Sequence, residues 1–110
     1  MEIKIAEEDG ITVVTPVGRV DTSTSKAFED GVMSAVASGK KLAIRFNEID
    51  YMSSAGLRVV LMAGKKLTAS GGALALIDMP EKIFSVFRIS GFDKILKIFP
   101  NLAESKEFFN

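Results

Sequence analysis

The chain predicts an α/β fold of order ββαβαβαβα: one mixed, mostly parallel sheet that begins with an antiparallel hairpin and has helices packed against it. Three observations carry this. Residues 2–8 alternate apolar and polar up to an Asp9-Gly10 turn into a second β-rich run. From Ser23 onward, stretches with apolar residues at 3-4 spacing take turns with short apolar segments. One of those segments, Ala73–Ile77, is apolar at every position, as a strand covered on both faces must be.

The first strand takes residues 2–8, with Ile3 and Ile5 opposite Glu2 and Lys4, and the hairpin makes Ile11–Val17 its antiparallel partner. Pro16 has no N–H to donate, which predicts either an edge position for this second strand or a local irregularity. Gly18–Ser25 is rich in small hydroxylated residues and precedes Phe28, Gly31, Val32, Ala35 and Val36 at helical spacing. A first helix is predicted over about 23–38, closed by Gly39 in a left-handed cap. Leu42, Ile44 and Phe46 then share one face of a central strand, with Ala43 small enough to lie under a covering helix.

The second helix opens at Ser53-Ser54, where Leu57, Val60, Leu61, Gly64 and Leu67 form an apolar stripe, and ends near Ser70-Gly71-Gly72. After the Ala73–Ile77 strand, Pro80 sits at a helix start, Ile83, Val86 and Phe87 form that helix's stripe, and Gly91 ends it. Ile95–Phe99 reads as a last short strand, and Asn101 caps a final helix ending at Phe108-Phe109. Strand-helix-strand crossovers imply parallel neighbours with right-handed connections.

At 110 residues and 47% apolar content, the chain fits one domain with its own core. Lysine plus arginine balances aspartate plus glutamate at 14 each, so no general field recruits nucleic acid or an anionic membrane. The absence of cysteine removes disulfides, thiolate metal sites and thiol nucleophiles, and fits a reducing compartment. Histidine is absent too, and with it the commonest general base and transition-metal ligand. No signal peptide is recognised at the N-terminus, and no apolar run approaches the roughly 18 residues of a membrane span. A soluble cytoplasmic protein is expected.

Function is expected at the carboxyl ends of the strands, where loops meet helix N-termini. Ser53-Ser54 stands at such a junction, beside unpaired amides and the positive end of a helix dipole. Two uses suit a serine there: capping the helix, or carrying a phosphate. Asp21, Asp50 and Asp78 follow strands and have loops able to approach the serines; each also suits an ordinary turn or cap. They are hard ligands of the kind magnesium takes, but no close pair or ligand loop accompanies them, so no metal is expected. Gly71-Gly72 is an isolated pair and not a phosphate-cradling loop; it reads as a turn. The phenylalanines of the last third, and Met52 and Met62, suit core or rim packing, with an exposed Met52 suiting an adaptable interface.

The run Ile49-Asp50-Tyr51-Met52-Ser53-Ser54-Ala55-Gly56-Leu57 resembles the STAS domain of bacterial anti-sigma factor antagonists. Gly18-Arg19-Val20-Asp21 is similar to the family's G-x-hydrophobic-D segment, and the Gly71-Gly72 strand and Gly91-Phe92 turn fall in the family's order. The similarity covers nearly the whole chain, so residues 1–110 are expected to form one STAS domain. Family members usually carry D-S-S/T-G-L at this junction, with the serine after the aspartate phosphorylated. Aligned on Gly56-Leu57, Ser54 takes that position, Ser53 replaces the aspartate and Ala55 replaces the second hydroxyl.

The resemblance implies a non-enzymatic, phosphorylation-switched module without a cofactor. Its implied partners are an anti-sigma factor that doubles as a serine kinase, and a serine phosphatase. Ser54 is the implied modified residue, with Ser53 second, and the implied partner surface takes in Asp21, Met52, Ser53, Ser54, Ala55, Gly56 and Arg58. Arg58 suits a solvated helix position as well as an acidic partner. The neutral Ser53 keeps an alternative open, a STAS module that senses a ligand or scaffolds a complex without phosphorylation.

Overall fold

The computed structural model describes every residue from Met1 to Asn110. Strands β1 (Glu2–Glu8) and β2 (Ile11–Val20) pair antiparallel, with Glu8 opposite Ile11. The turn between them is the predicted one: Asp9 and Gly10 both take positive φ, 54° and 81°, as a two-residue hairpin requires. Four further strands follow, β3 (Lys41–Arg45), β4 (Ile49–Met52), β5 (Ala73–Ile77) and β6 (Lys97–Phe99). The helices are α1 (Ser25–Ser38), α2 (Ser54–Ala69), α3 (Glu81–Ser90) and α4 (Leu102–Phe109). The sheet runs β1-β2-β3-β5-β6, all parallel after the hairpin, with β4 parallel to the far half of β2.

The predicted order therefore holds, with one short strand added between β3 and α2. In β4 only Ile49 and Met52 are buried, with Asp50 and Tyr51 exposed between them, and this spacing breaks the period-2 signal of a strand. The register shift between Gly18 and Arg19 on β2 absorbs the irregularity.

Pro16 lies on a strand paired along both sides, so the edge alternative fails and the local irregularity is what it marks. On one side β2 pairs with β3 through Thr12–Val14 and with β4 only from Gly18, leaving a fork between. Gly18 donates its N–H toward β4, to the Glu48 carbonyl at 2.9 Å. Two residues earlier, the nitrogen of Pro16 faces the same side, into the fork, where the ladder needs no donor.

Four boundaries differ from expectation. The second strand runs past Val17 to Val20, because Gly18–Val20 find a partner in β4. The first helix begins at Ser25 because residues 21–24 form a turn around the Asp21 carboxylate. Gly39 is extended, at φ −162°, and not left-handed. The chain enters β3 two residues later, and the Ser38 hydroxyl donates to the Ala35 carbonyl at 3.0 Å, satisfying a terminal carbonyl that a glycine cap otherwise serves. The last strand is shorter than predicted, since a 3-10 turn at Phe92–Lys94 has its Phe92 carbonyl accept from the amides of Ile95 and Leu96.

The core has two layers. The larger packs α1, α2 and α3 on one sheet face through Phe28, Val32, Leu57, Val60, Ile83 and Phe87. The smaller lies under α4, where Ile11, Val13, Ala43, Ala75 and Ile77 meet Leu102 and Phe109. Ala43 does lie beneath a helix, as its size suggested. No helix is long and apolar enough to cross a membrane.

Candidate functional site

The two adjacent serines divide the junction between them. Ser53 is the N-cap: its backbone is extended, and its hydroxyl accepts the Gly56 amide at 3.3 Å. Its own N–H donates to the Val20 carbonyl at 2.8 Å, which ties the start of α2 to the end of β2. Ser54 is the first helical residue and is exposed, and its hydroxyl is not needed for capping. The amides of Ser54 and Ala55 lie in the first turn, where no intrahelical acceptor exists and the dipole is positive. A small anion attached to the Ser54 oxygen is thus placed in a favourable field at no cost to the core.

What holds this junction rigid is buried beneath it. Met52 and Gly56 were expected on the partner surface, but Met52 is 2% exposed and Gly56 is also buried. A Cβ on Gly56 meets the Met52 sulfur and comes within 2.7 Å of Val20 Cγ1, so α2 can start this close to β2 and β4 only through a glycine. Both residues position the serines from below.

Asp21 lies at the end of β2, next to the junction, but much of its carboxylate is already committed. Oδ1 accepts from the Ser23 hydroxyl at 2.7 Å and from the Ser23 and Thr24 amides at 2.9 and 3.2 Å, while Oδ2 lies 3.8 Å from Arg19 Nε. The Ser23 hydroxyl, then its amide, hold the carboxyl below the usual carboxylate range. Arg19 in turn lies over the exposed Tyr51 ring, 4.5 Å from its centroid. This Asp21-Arg19-Tyr51 chain flanks the serines, and sequence spacing missed the Arg19–Tyr51 contact because it depends on the irregular β2–β4 register.

Arg58 is exposed one turn below Ser54 and lines a groove of 690 Å³ between α1 and α2, together with Lys26, Glu29, Ala55, Met62 and Lys65. Asp50 is exposed on β4. Asp78 is drawn elsewhere: it pairs with Arg45 at 2.9 Å, and Arg45 also reaches Glu8 at 3.4 Å. Arg45 lies two residues beyond Ala43, on the sheet face that α4 partly covers, opposite the serines. Asp21, Asp50 and Asp78 therefore do not converge, and no three acidic side chains stand close enough to share an ion.

Comparison with known proteins finds relatives along nearly the whole chain. The STAS domain model matches residues 2–105. BtrV of Bordetella bronchiseptica, named as a candidate anti-sigma factor antagonist, is 34% identical over 97% of this chain and 90% of its own length. The anti-sigma-B factor antagonist of Listeria monocytogenes is 30% identical over 89% of this chain and 86% of its own. A crystal structure of a candidate anti-sigma factor antagonist from Thermotoga maritima superposes with a TM-score of 0.88 at 22% identity, over 97% of this chain and 93% of that one.

Proposed function

This chain belongs to the STAS-domain family of anti-sigma factor antagonists, and we propose that it works as a phosphorylation-controlled binding module centred on Ser54. Like the family, it acts by binding an anti-sigma factor and not by catalysis. Unmodified, the surface around Ser53, Ser54, Ala55 and Arg58, with Asp21 beside it, docks the anti-sigma factor and so releases a sigma factor in the cytoplasm. The anti-sigma factor is itself the serine kinase that modifies Ser54, and a serine phosphatase reverses the reaction.

One observation supports this most: of two adjacent hydroxyls, Ser53 is occupied with capping while Ser54 stands exposed beside free amides. Phosphorylation adds a charge of about −1.5 to −2 and three acceptor oxygens. The helix N-terminus accommodates that charge, so the fold survives. A partner that must bury the dianion without matching cations loses affinity; a hundredfold loss corresponds to about 2.8 kcal/mol.

The test is to incubate the protein with the anti-sigma factor kinase of the same organism and ATP, then map the phosphate by mass spectrometry. Phosphate on Ser54, its loss in Ser54→Ala, and roughly hundredfold weaker calorimetric binding by Ser54→Asp with an unchanged melt are expected. Absence of modification together with undiminished binding by Ser54→Asp refutes the switch. That outcome favours instead a scaffolding or ligand-sensing module, the reading suggested by a neutral Ser53 at the family's aspartate position.

A further inference from the structure

A second concave site lies about 15–20 Å further along α2 from Ser54, at the helix's C-terminal half. Five segments converge on it: α2, the start of β5, the turn at Ile95-Leu96, the start of β6, and α4. Leu74, Leu61, Leu96 and Phe108 give it an apolar lining, and its volume is 560 Å³, within the range of small-molecule pockets. Gly64 keeps it open. A Cβ there lies 3.4 Å from Leu96 and 3.5 Å from Leu74, so any longer side chain extends into the space.

The charged residues that line this groove have one sign. Lys65 and Lys97 line it, no acidic residue does, and neither lysine takes part in any of the molecule's ion pairs. Ile95, at 61% exposed, leaves an apolar side chain uncovered at the same site. Apolar walls with two unpaired cations complement one class of ligand better than others: a molecule with one apolar chain and one anionic end. The two exposed lysines repel a cation and give a neutral polar ligand no charge to pair with, and an inorganic anion leaves the leucines wet.

We propose that this groove binds a free single-chain amphiphilic anion, a medium-length acyl carboxylate, with its chain against Leu61, Leu74, Leu96 and Phe108 and its carboxylate at Lys65 and Lys97. The site does not include Ser54, although Leu61 and Lys65 also border the groove that Arg58 lines.

The test is a ¹H–¹⁵N NMR titration of the full chain with decanoate below its micelle concentration, alongside acetate, decyltrimethylammonium, an acidic peptide and phosphatidylglycerol vesicles. Decanoate is expected to give saturable shifts confined to Gly64, Gly72, Ala73, Lys97 and their neighbours. Acetate should give none, and decyltrimethylammonium should bind at least tenfold more weakly. The double variant Lys65→Glu with Lys97→Glu should weaken decanoate at least tenfold, and Ala69→Trp should block it by filling the groove, each with an otherwise native spectrum. The proposal is overturned by unsaturable or dispersed decanoate shifts, by equal binding of the cationic amphiphile, by charge reversal without effect, or by binding to vesicles alone. Groove shifts produced only by an acidic peptide, with decanoate silent, overturn it too.

Discussion

The same chemical change, glycine to alanine, should have opposite effects at two positions of one helix. At Gly56 the added methyl meets Met52 and lies 2.7 Å from Val20 Cγ1, and both neighbours are buried. Met52 is unbranched and can move; Val20 is β-branched, stiff and fully enclosed. Overpacking of this kind costs about 1–3 kcal/mol, against a gain of at most about 1 kcal/mol from alanine's helix propensity. The expected net is a loss of up to about 2 kcal/mol, or up to about 9 °C in Tm for a domain of this size. At Gly64 the nearest atoms are ordinary contacts at 3.4 and 3.5 Å, so the propensity term dominates and a gain of about 0.5–1 kcal/mol is expected. Thermal melts and urea titrations of the two variants read this difference directly. Similar stabilisation by both substitutions would refute the close packing of α2 on β2 and β4, and with it the account of how Ser54 is held in place.

Three further outcomes follow from named contacts. Ser53→Ala should lose about 0.5–1 kcal/mol of stability, while Ser54→Ala should stay within about 0.5 kcal/mol of the parent in urea unfolding, because only Ser53 caps the helix. The lowered Asp21 value gives stability that is present above the unfolded carboxyl value near pH ~4 and is lost as pH falls through the lower folded value. Ser23→Ala removes its largest cause, so a carbon-13 carboxyl titration should show the Asp21 midpoint rising toward the ordinary range; an unmoved midpoint contradicts the assignment. Asp78→Val should cost about 2 kcal/mol or more, since it forces a β-branched residue to φ 54° and breaks the Arg45 pair, whereas Asp78→Gly retains the backbone and should recover part of that loss in the same melt.

The elements legible from residue order alone were those with strong periodicity or punctuation. The Ala73–Ile77 strand, the hairpin at Asp9-Gly10, the Gly91 helix stop and the Asn101 cap match exactly, because each depends on a turn, a cap or a buried run contained in a few neighbouring residues. Where long-range pairing set the outcome, expectation and structure part. β4 exists because β2 offers a second partner beyond its fork, and Gly39 is extended because the chain enters β3 two residues later. Met52 carries a surface-compatible side chain that the packing of α2 turned inward.

The chain's own residue pattern was enough to determine an α/β sheet, a serine pair at a strand-to-helix junction, and membership in a family, since hydrophobic period and turn chemistry act over short stretches. Which serine caps and which faces water, which acids stand near them, and where an apolar groove opens depended on the approach of segments far apart in sequence. Val20 meeting Gly56 and Gly64 passing over Leu74 and Leu96 are such approaches. Close packing decides them, because backbones come that near only where the complete set of neighbours leaves room.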